Sequence, residues 1–251
     1  MQAKNILGID VGGSHIKGAI VDIKKGELTS ERVKIATPSP STPAAVAKVV
    51  QELIQQVGFE GDLIGCGFPS IIKNGVCYSA ANIDKQWKGT NVQKLFTKAT
   101  GAKVFVTNDA DAAGISEMEY GVGKGVSGSV LLITIGTGLG SALFVDGTLV
   151  PNTEFGHFPF KGDIAEKYVS KTAQKRDNLT WDEFGKRFNE YLLVVERLTS
   201  PNLIILGGGY SKKFDNFSGH IDIETKVVTA EMFNHAGIIG AALYAYQQGS
   251  K

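Results

Sequence analysis

Asn108 and Asp109 are the pair whose types and position most invite a chemical reading. A short apolar run, Lys103 to Thr107, ends on them, and an alanine-rich helical stretch, Ala110 to Tyr120, begins directly after. In open α/β sheets ligands collect at the carboxyl ends of the strands. A carboxylate there can take a proton from an alcohol nucleophile while a neighbouring amide aligns the substrate. The competing role for Asp109 is helix capping, which aspartate performs well, although capping leaves the adjacent Asn and the second acid of NDAD without a purpose. A loop further on, Asn152-Thr153-Glu154-Phe155-Gly156-His157, is dense in hydrogen-bonding side chains. A Glu accepting from two vicinal hydroxyls, with His as a further partner, suits a sugar; the plain alternative is a solvated loop. Asn82 and Asp84, with Trp87 as an apolar plate or a core residue, form a second polar set.

Three glycine turns suit phosphate. In NILGIDVGGSHIKGAIVD, Gly12 and Gly13 are expected to reach φ > 0 and to leave their N–H groups unobstructed. Ser14 adds a hydroxyl, Lys17 a charge, and Asp10 a carboxylate able to hold a metal or water beside the phosphate. Gly136-Thr137-Gly138 offers a second cradle of amides and a hydroxyl. Gly207-Gly208-Gly209, after the apolar run Leu203 to Leu206, would let a phosphate chain or nucleotide approach the backbone. Each run alone is a weak signal.

These residues need elements to hold them. Asn5 to Asp22 reads as a strand, a glycine turn and a second strand, and Glu27 to Ile35 alternates as a third. Pro43 opens a helix to Val57, inner side Ala44, Val46, Ala47, Val50, Leu53, Ile54 and Val57. Leu63 to Phe68 is a buried strand, and a hairpin turns at Lys73-Asn74-Gly75. The pattern then restarts: shifting by 124 residues carries Gly12 onto Gly136 and Asp22 onto Asp146, a repeat of layout. One helix is expected from Ile164 to Gln174, placing Lys167, Lys171 and Lys175 on one face beside Arg176. Thr180 and Glu183 match a capping box opening a helix to about Leu198. Ala236 to Tyr246 closes the chain with small residues fit for close packing. The expectation is an α/β protein of two lobes facing a central cleft, one spanning 1–108 with the closing helix 236–251 returning to it, the other 109–235.

Composition narrows the function classes. The 251 residues, 43% hydrophobic and 20% charged, suit globular lobes. With 26 Lys+Arg against 25 Asp+Glu, the net charge of +1 gives no global field for nucleic acid or membrane. No apolar run approaches the roughly 20 residues a bilayer requires, and the first strand begins too early for a signal peptide. Cys66 and Cys77, the only cysteines, read as reduced core residues of a cytoplasmic protein.

The runs IDVGGSHIKGAIVD, TNDADAAG, TIGTGLGSALF, EFGH and LIILGGGYS, in this order, resemble the ROK family (repressor, open reading frame, kinase) of sugar kinases. TPSPSTPAAVAK, AANIDKQWKGTN, NDADAAG and PNTEFGH are similar to its polyphosphate glucokinase branch. The resemblance implies an actin/hexokinase-like (ribonuclease H-like) ATPase fold and phosphorylation of the glucose 6-hydroxyl, with polyphosphate, ATP or both as donor, Mg2+ placed by Asp10 through water, and a homodimer. It gives Asp109 the role of base, and Asn82, Asn108, Glu154, His157 and Glu166 contacts to the sugar. Asp10, Gly12, Gly13, Ser14 and Lys17, with Gly136, Thr137 and Gly138, would hold phosphate, while Gly207, Gly208, Gly209 and Lys212 lie toward the donor. The family's cysteine-rich zinc motif is missing after His157, so His157 is expected to be a sugar ligand and no zinc is expected. Pro69-Ser70 stands where the family has Pro-Gly. An ATP-dependent kinase of glucose, mannose or N-acetylhexosamine and a non-catalytic sugar-binding regulator are the alternatives. For polyphosphate, Lys167, Lys171, Lys175, Arg176, Lys212 and Lys213 are the candidate track, against a plainly solvated stripe.

Overall fold

A computed structural model describes residues 5–80 and 83–250. The chain divides into two units, Met1–Ser116 with His235–Lys251, and Glu117–Asn234.

The first unit begins with β1 (Asn5–Val11) and β2 (His15–Asp22), followed by β3 (Glu27–Leu28) and β4 (Val33–Ala36). The alternation from Glu27 to Ile35 predicts one strand, but the chain leaves the sheet between these two pieces. There the Ser30 hydroxyl accepts the Ile20 N–H at 3.0 Å in place of a backbone partner. Helix α1 (Pro43–Val57), β5 (Leu63–Phe68), the small hairpin β6 (Ile72–Lys73) and β7 (Val76–Cys77), α2 (Val92–Thr100), β8 (Lys103–Asn108) and α3 (Asp109–Tyr120) complete the run. The main sheet has the order β3-β2-β1-β5-β8, with β4 also on β2; β1, β5 and β8 are parallel, and β2 is antiparallel to β1. Helix α1 starts where expected, because the Thr42 side chain accepts the Ala45 N–H and Pro43 occupies the first turn. Its buried residues Val46, Val50 and Leu53 cover one face of the sheet.

The second unit holds β9 (Ser129–Ile135), β10 (Leu139–Val145), β11 (Thr148–Val150), β12 (Pro159–Phe160), β13 (Asp163–Ile164), α4 (Ala165–Tyr168), α5 (Lys171–Arg176), α6 (Trp181–Thr199), β14 (Leu203–Gly207) and β15 (Val227–Thr229). Its sheet order, β11-β10-β9-β14-β15, repeats the plan of the first: an antiparallel hairpin beside parallel strands. The capping box is present at α6, whose buried side includes Phe184, Phe188, Tyr191, Leu192 and Val195. The single helix expected from Ile164 to Gln174 is two. Val169 leaves helical geometry, and Ser170 caps α5 by accepting the Ala173 N–H at 3.1 Å.

Helix α7 (Ala236–Gly249) belongs to the first unit. Small residues on both partners allow it to approach the sheet: a Cβ on Gly8 or Gly65 would collide with the carbonyls of Ile238 or Ala241. Likewise, Gly240 lies against the Ala112 carbonyl on α3. This contact draws the first turns of α3 into the first unit, so the division falls at Ser116/Glu117 and not at the Asn108–Asp109 junction. No helix among the described residues is long and apolar enough to cross a membrane.

Candidate active site

In the first unit, the β1–β2 pairing sets Asp10 directly opposite Lys17, and their side chains form an ion pair at 3.1 Å. Across an antiparallel pair, directly opposed residues share a face, so the hairpin register brings these two charges together. Gly13 and Ser14 are exposed at the turn. Gly12 does not adopt the positive φ expected of it. Its glycine requirement is steric, since a Cβ would stand 3.0 Å from the His15 carbonyl, which accepts the Gly12 N–H. Thr37, just past β4, braces this turn by donating its N–H to Ser14 O at 3.0 Å and its hydroxyl to Gly12 O at 2.6 Å.

At the β8–α3 junction the capping weighed as the alternative role of Asp109 is borne chiefly by Asn108. The Asn108 Oδ1 accepts the N–H groups of Ala110 and Asp111 at 2.8 and 3.0 Å, and its amide donates to Ser70 O at 3.2 Å. Asp109 Oδ1 also accepts the Ala110 N–H at 2.9 Å, and the residue is half-buried at the end of the strand. Asn108 is 7% exposed, so its amide has one remaining N–H to offer a ligand.

Ser70 occupies the position where the sequence departs from the family's Pro-Gly. Its hydroxyl lies within hydrogen-bond distance of Ser79 O at 2.7 Å, Ser79 Oγ at 3.1 Å and Cys77 Sγ at 3.0 Å. The turn after β5 is thereby tied to the segment following β7, and through Ser70 O to Asn108. Nothing short-range in the sequence marks this hub. Trp87 is a core residue: it is 1% exposed, packs on Phe68 and Phe96, and donates to Ser41 O at 2.8 Å. Asn82 lies outside the described residues.

In the second unit, Glu154 Oε2 and His157 Nδ1 are 2.9 Å apart, and His157 Nε2 stands 3.9 Å from Glu166 Oε1. The hydrogen bond to Glu154 raises the His157 pKa, against partial burial, and the charges of Glu154 and Glu166 add to the rise. Ser141, buried in β10, holds this loop by donating to Thr153 O at 2.6 Å and accepting the Phe155 N–H at 2.9 Å. A polar residue in an otherwise apolar strand was the available signal for Ser141. Glu166 is 9% exposed and accepts the Leu139 N–H at 3.3 Å. Its carboxylate lies over Gly138, within contact range of any added Cβ. The Glu154–His157–Glu166 set therefore adjoins the Gly136-Thr137-Gly138 turn.

The third glycine run joins the same neighbourhood. Gly208, with φ of 76°, rests against the backbone of Ile135, whose carbonyl accepts the Tyr210 N–H at 3.2 Å. Lys171 N–H donates to Gly136 O at 3.1 Å, which is why the helix must restart at Ser170. The break removes the continuous face expected for Lys167, Lys171 and Lys175. Arg176 is paired with Asp177 at 2.7 Å, and the Lys212 ammonium sits over the Phe233 ring at 5.4 Å.

The comparisons agree with this arrangement. The chain is 44% identical over 237 residues to the polyphosphate glucokinase of Mycobacterium tuberculosis, covering 94% of this chain and 89% of the relative. It is 32% identical to the glucokinase of Streptomyces coelicolor, covering 94% and 96%. The crystal structure of the inorganic polyphosphate/ATP-glucomannokinase from Arthrobacter sp. strain KM superposes with a TM-score of 0.94 at 46% identity, covering 97% of this chain and 99% of that one. The architecture is the actin/hexokinase-like fold of these sugar kinases. Residues 6–167 match the ROK family, and the chain belongs to that family.

Proposed function

We propose that this protein is a polyphosphate–glucose phosphotransferase, moving a phosphoryl group from inorganic polyphosphate to the 6-hydroxyl of glucose. The observation that carries this reading is the 44% identity to a polyphosphate glucokinase along nearly the whole chain, with Asp109 standing at the junction of β8 and α3. ATP serves as a second donor and mannose as a second sugar; the polyphosphate/ATP-glucomannokinase neighbour, 46% identical, supports both.

In this reading Asp109 accepts the proton of the 6-hydroxyl as the oxygen attacks the terminal phosphorus. The P–O bond to the donor breaks, and the leaving phosphate oxygen departs as the shortened donor. Asn108, with its remaining N–H, and Asn82 orient the sugar. Glu154 accepts from neighbouring ring hydroxyls, and His157, held by Glu154, offers a ring nitrogen to another. Glu166 holds the anomeric end. The amides of Gly12, Gly13, Gly136 and Gly138, the hydroxyls of Ser14 and Thr137, and the Lys17 ammonium receive phosphate oxygens, and Gly207 to Gly209 with Lys212 lie on the donor side. Positioning and charge supply most of the rate in such transfers.

Among the described residues no group of three or more His, Cys, Asp or Glu is placed to hold a metal. Mg2+ keeps several waters and takes one or two carboxylates plus substrate phosphates, a demand that a single carboxylate beside the glycine turn can meet. Asp10, one carboxylate beside the glycine turn, would hold it, and the ion would neutralise the donor's charge. The protein acts as a homodimer, as the family resemblance implies, and in the cytoplasm, which suits its free, buried Cys66 and Cys77. The test is a grid of donors (polyphosphate, ATP) against sugars (glucose, mannose, N-acetylglucosamine), repeated with Asp109→Asn. Loss of the base is expected to lower kcat by about 10²-fold or more, and near-wild-type turnover by Asp109→Asn would remove it from that role. Glucose binding without phosphorylation from any donor would favour a sugar-binding regulator instead.

A further inference from the structure

Beyond Lys17, the first unit carries a row of further cations beside the glycine turn that the reaction above does not use. The β2–β4 register places Lys34 directly opposite Lys17. Directly opposed side chains share a face with Cβ atoms about 5 Å apart, and like charges so placed repel. Lys17 has Asp10 as counter-ion, but Lys34 is exposed and makes no ion pair among the described residues. His15, two residues before Lys17 on the same strand, shares this face. Its pKa is depressed by partial desolvation and by the Lys34 and Lys17 charges. Arg32, immediately before β4, depresses His235 in the same way, after burial. Lys17, Lys34 and Arg32 thus set one positive field along β4, near enough to bear on both imidazoles. The row also has an end point: β4 leads into Thr37, which is bonded to Ser14 O and Gly12 O at the turn.

We propose that Lys34 and Arg32, continuing from Lys17 and His15, bind the non-reacting length of a linear polyphosphate whose terminal phosphate occupies the Gly12–Ser14 turn. The proposal rests on the polyphosphate reading above. A like-charge pair held in register by two strands costs stability in the free protein and is relieved by a polyanion. The strand spacing of about 4.8 Å sets the cations close enough for one extended chain to meet several at once. A triphosphate keeps only two phosphates beyond the one in the turn, whereas a long chain runs on past Lys34 and Arg32, so the row would discriminate donors by length. The lysines of α4 and α5 offer no such alignment, because the helix is broken between them.

The test compares wild type with Lys34→Gln, Arg32→Gln and the double variant, using long-chain polyphosphate, tripolyphosphate and ATP. Binding of fluorescently labelled long-chain polyphosphate is measured over a salt series in parallel. Each exposed ion pair is worth up to about 1 kcal/mol, so each variant should raise KM for the long chain by about two- to fivefold. The salt slope of binding should fall by about one per charge removed. Constants for ATP, tripolyphosphate and glucose should stay within about twofold, which also certifies folding. Unchanged long-chain KM and salt slope in the double variant, with wild type turning over polyphosphate, would overturn the proposal. Wild type that binds long-chain polyphosphate through these residues without turning it over would refute the donor reading and keep the row. Absence of binding by wild type would refute both.

Discussion

Gly138→Ala isolates the link between the second glycine turn and the Glu154–His157–Glu166 set. Gly138 has no left-handed φ, so alanine suits the backbone and the cost falls on what the new methyl meets. That is the Glu166 carboxylate, 9% exposed, which accepts the Leu139 N–H at 3.3 Å and lies 3.9 Å from His157 Nε2. To make room, the carboxylate must release that N–H and change its distance to His157. Losing a hydrogen bond to a charged group costs about 1.5–3 kcal/mol. At about 2–4 °C per kcal/mol for a chain of this size, Tm should fall by about 3–12 °C. If Glu166 also contacts glucose, kcat/KM for glucose should drop by about 10- to 150-fold, the same energy expressed as a rate. Gly136→Ala is the control, because its Cβ would meet open space; it should leave Tm and glucose affinity unchanged while raising the donor KM. Combining Gly138→Ala with Glu166→Gln closes a double-mutant cycle, and strong non-additivity is expected because the first change acts through the second residue. Wild-type Tm and glucose kinetics in Gly138→Ala, or additive effects in the cycle, would refute this coupling.

Three further predictions follow from single contacts. The folded-state pKa of His157 lies above its ordinary 6.5, so its stabilising contribution is full below pH about 6.5 and is lost as pH rises through the raised value; the Tm difference between wild type and His157→Gln should shrink with increasing pH, and a constant or widening difference would contradict the assignment. Ser70→Ala removes the hub joining Ser79 and Cys77 and should cost about 1–3 kcal/mol, raising the glucose KM more than it lowers kcat; unchanged denaturant midpoint and KM would deny the hub its role. Buried Glu117 accepts the N–H groups of Val122, Glu231 and Met232. Glu117→Gln turns an NH2 group toward at least one of those donors and should cost about 1–3 kcal/mol, visible as a lowered Tm and faster amide exchange at Glu231 and Met232.

Much of the fold was legible because its signals are local. Pro43 behind Thr42, the Thr180–Glu183 box, and the apolar runs flanking each glycine turn name their elements within a few residues. The junction of β8 with α3 was legible too, although Asn108 takes the capping work that aspartate chemistry alone would give to Asp109. What escaped depends on partners far along the chain. The restart of the helix at Ser170 is tied to Gly136 O, 35 residues upstream of the Lys171 N–H that reaches it. The Ser70 hub joins three separate segments, and Gly8 and Gly65 are required by a helix more than 170 residues later.

The internal repeat shows why layout and chemistry part company. The 124-residue shift carries Gly12 onto Gly136, yet the pairings differ by one residue: Val11 pairs with Ile16 around four turn residues, whereas Ile135 pairs with Leu139 around three. A one-residue slip moves side chains to the opposite face. In the first hairpin it sets Asp10 against Lys17; in the second the aligned residues Thr134 and Ser141 do not pair, and Thr134 faces Gly140. The second turn therefore lacks a carboxylate and a cation of its own. It receives a carboxylate from Glu166 on α4, and glycine at 138, where the first turn has Ser14, is what admits it. One turn sets an ion pair beside its phosphate-binding amides, and the other adds to its own amides an imported acid beside His157 and Glu154, suited to a sugar. Restoring the first pattern in the second turn, as Gly138→Ser, should therefore not tighten phosphate binding there; it should displace Glu166 and weaken glucose binding more than it changes the donor KM, and a selective rise in donor affinity would show that the two turns are interchangeable after all.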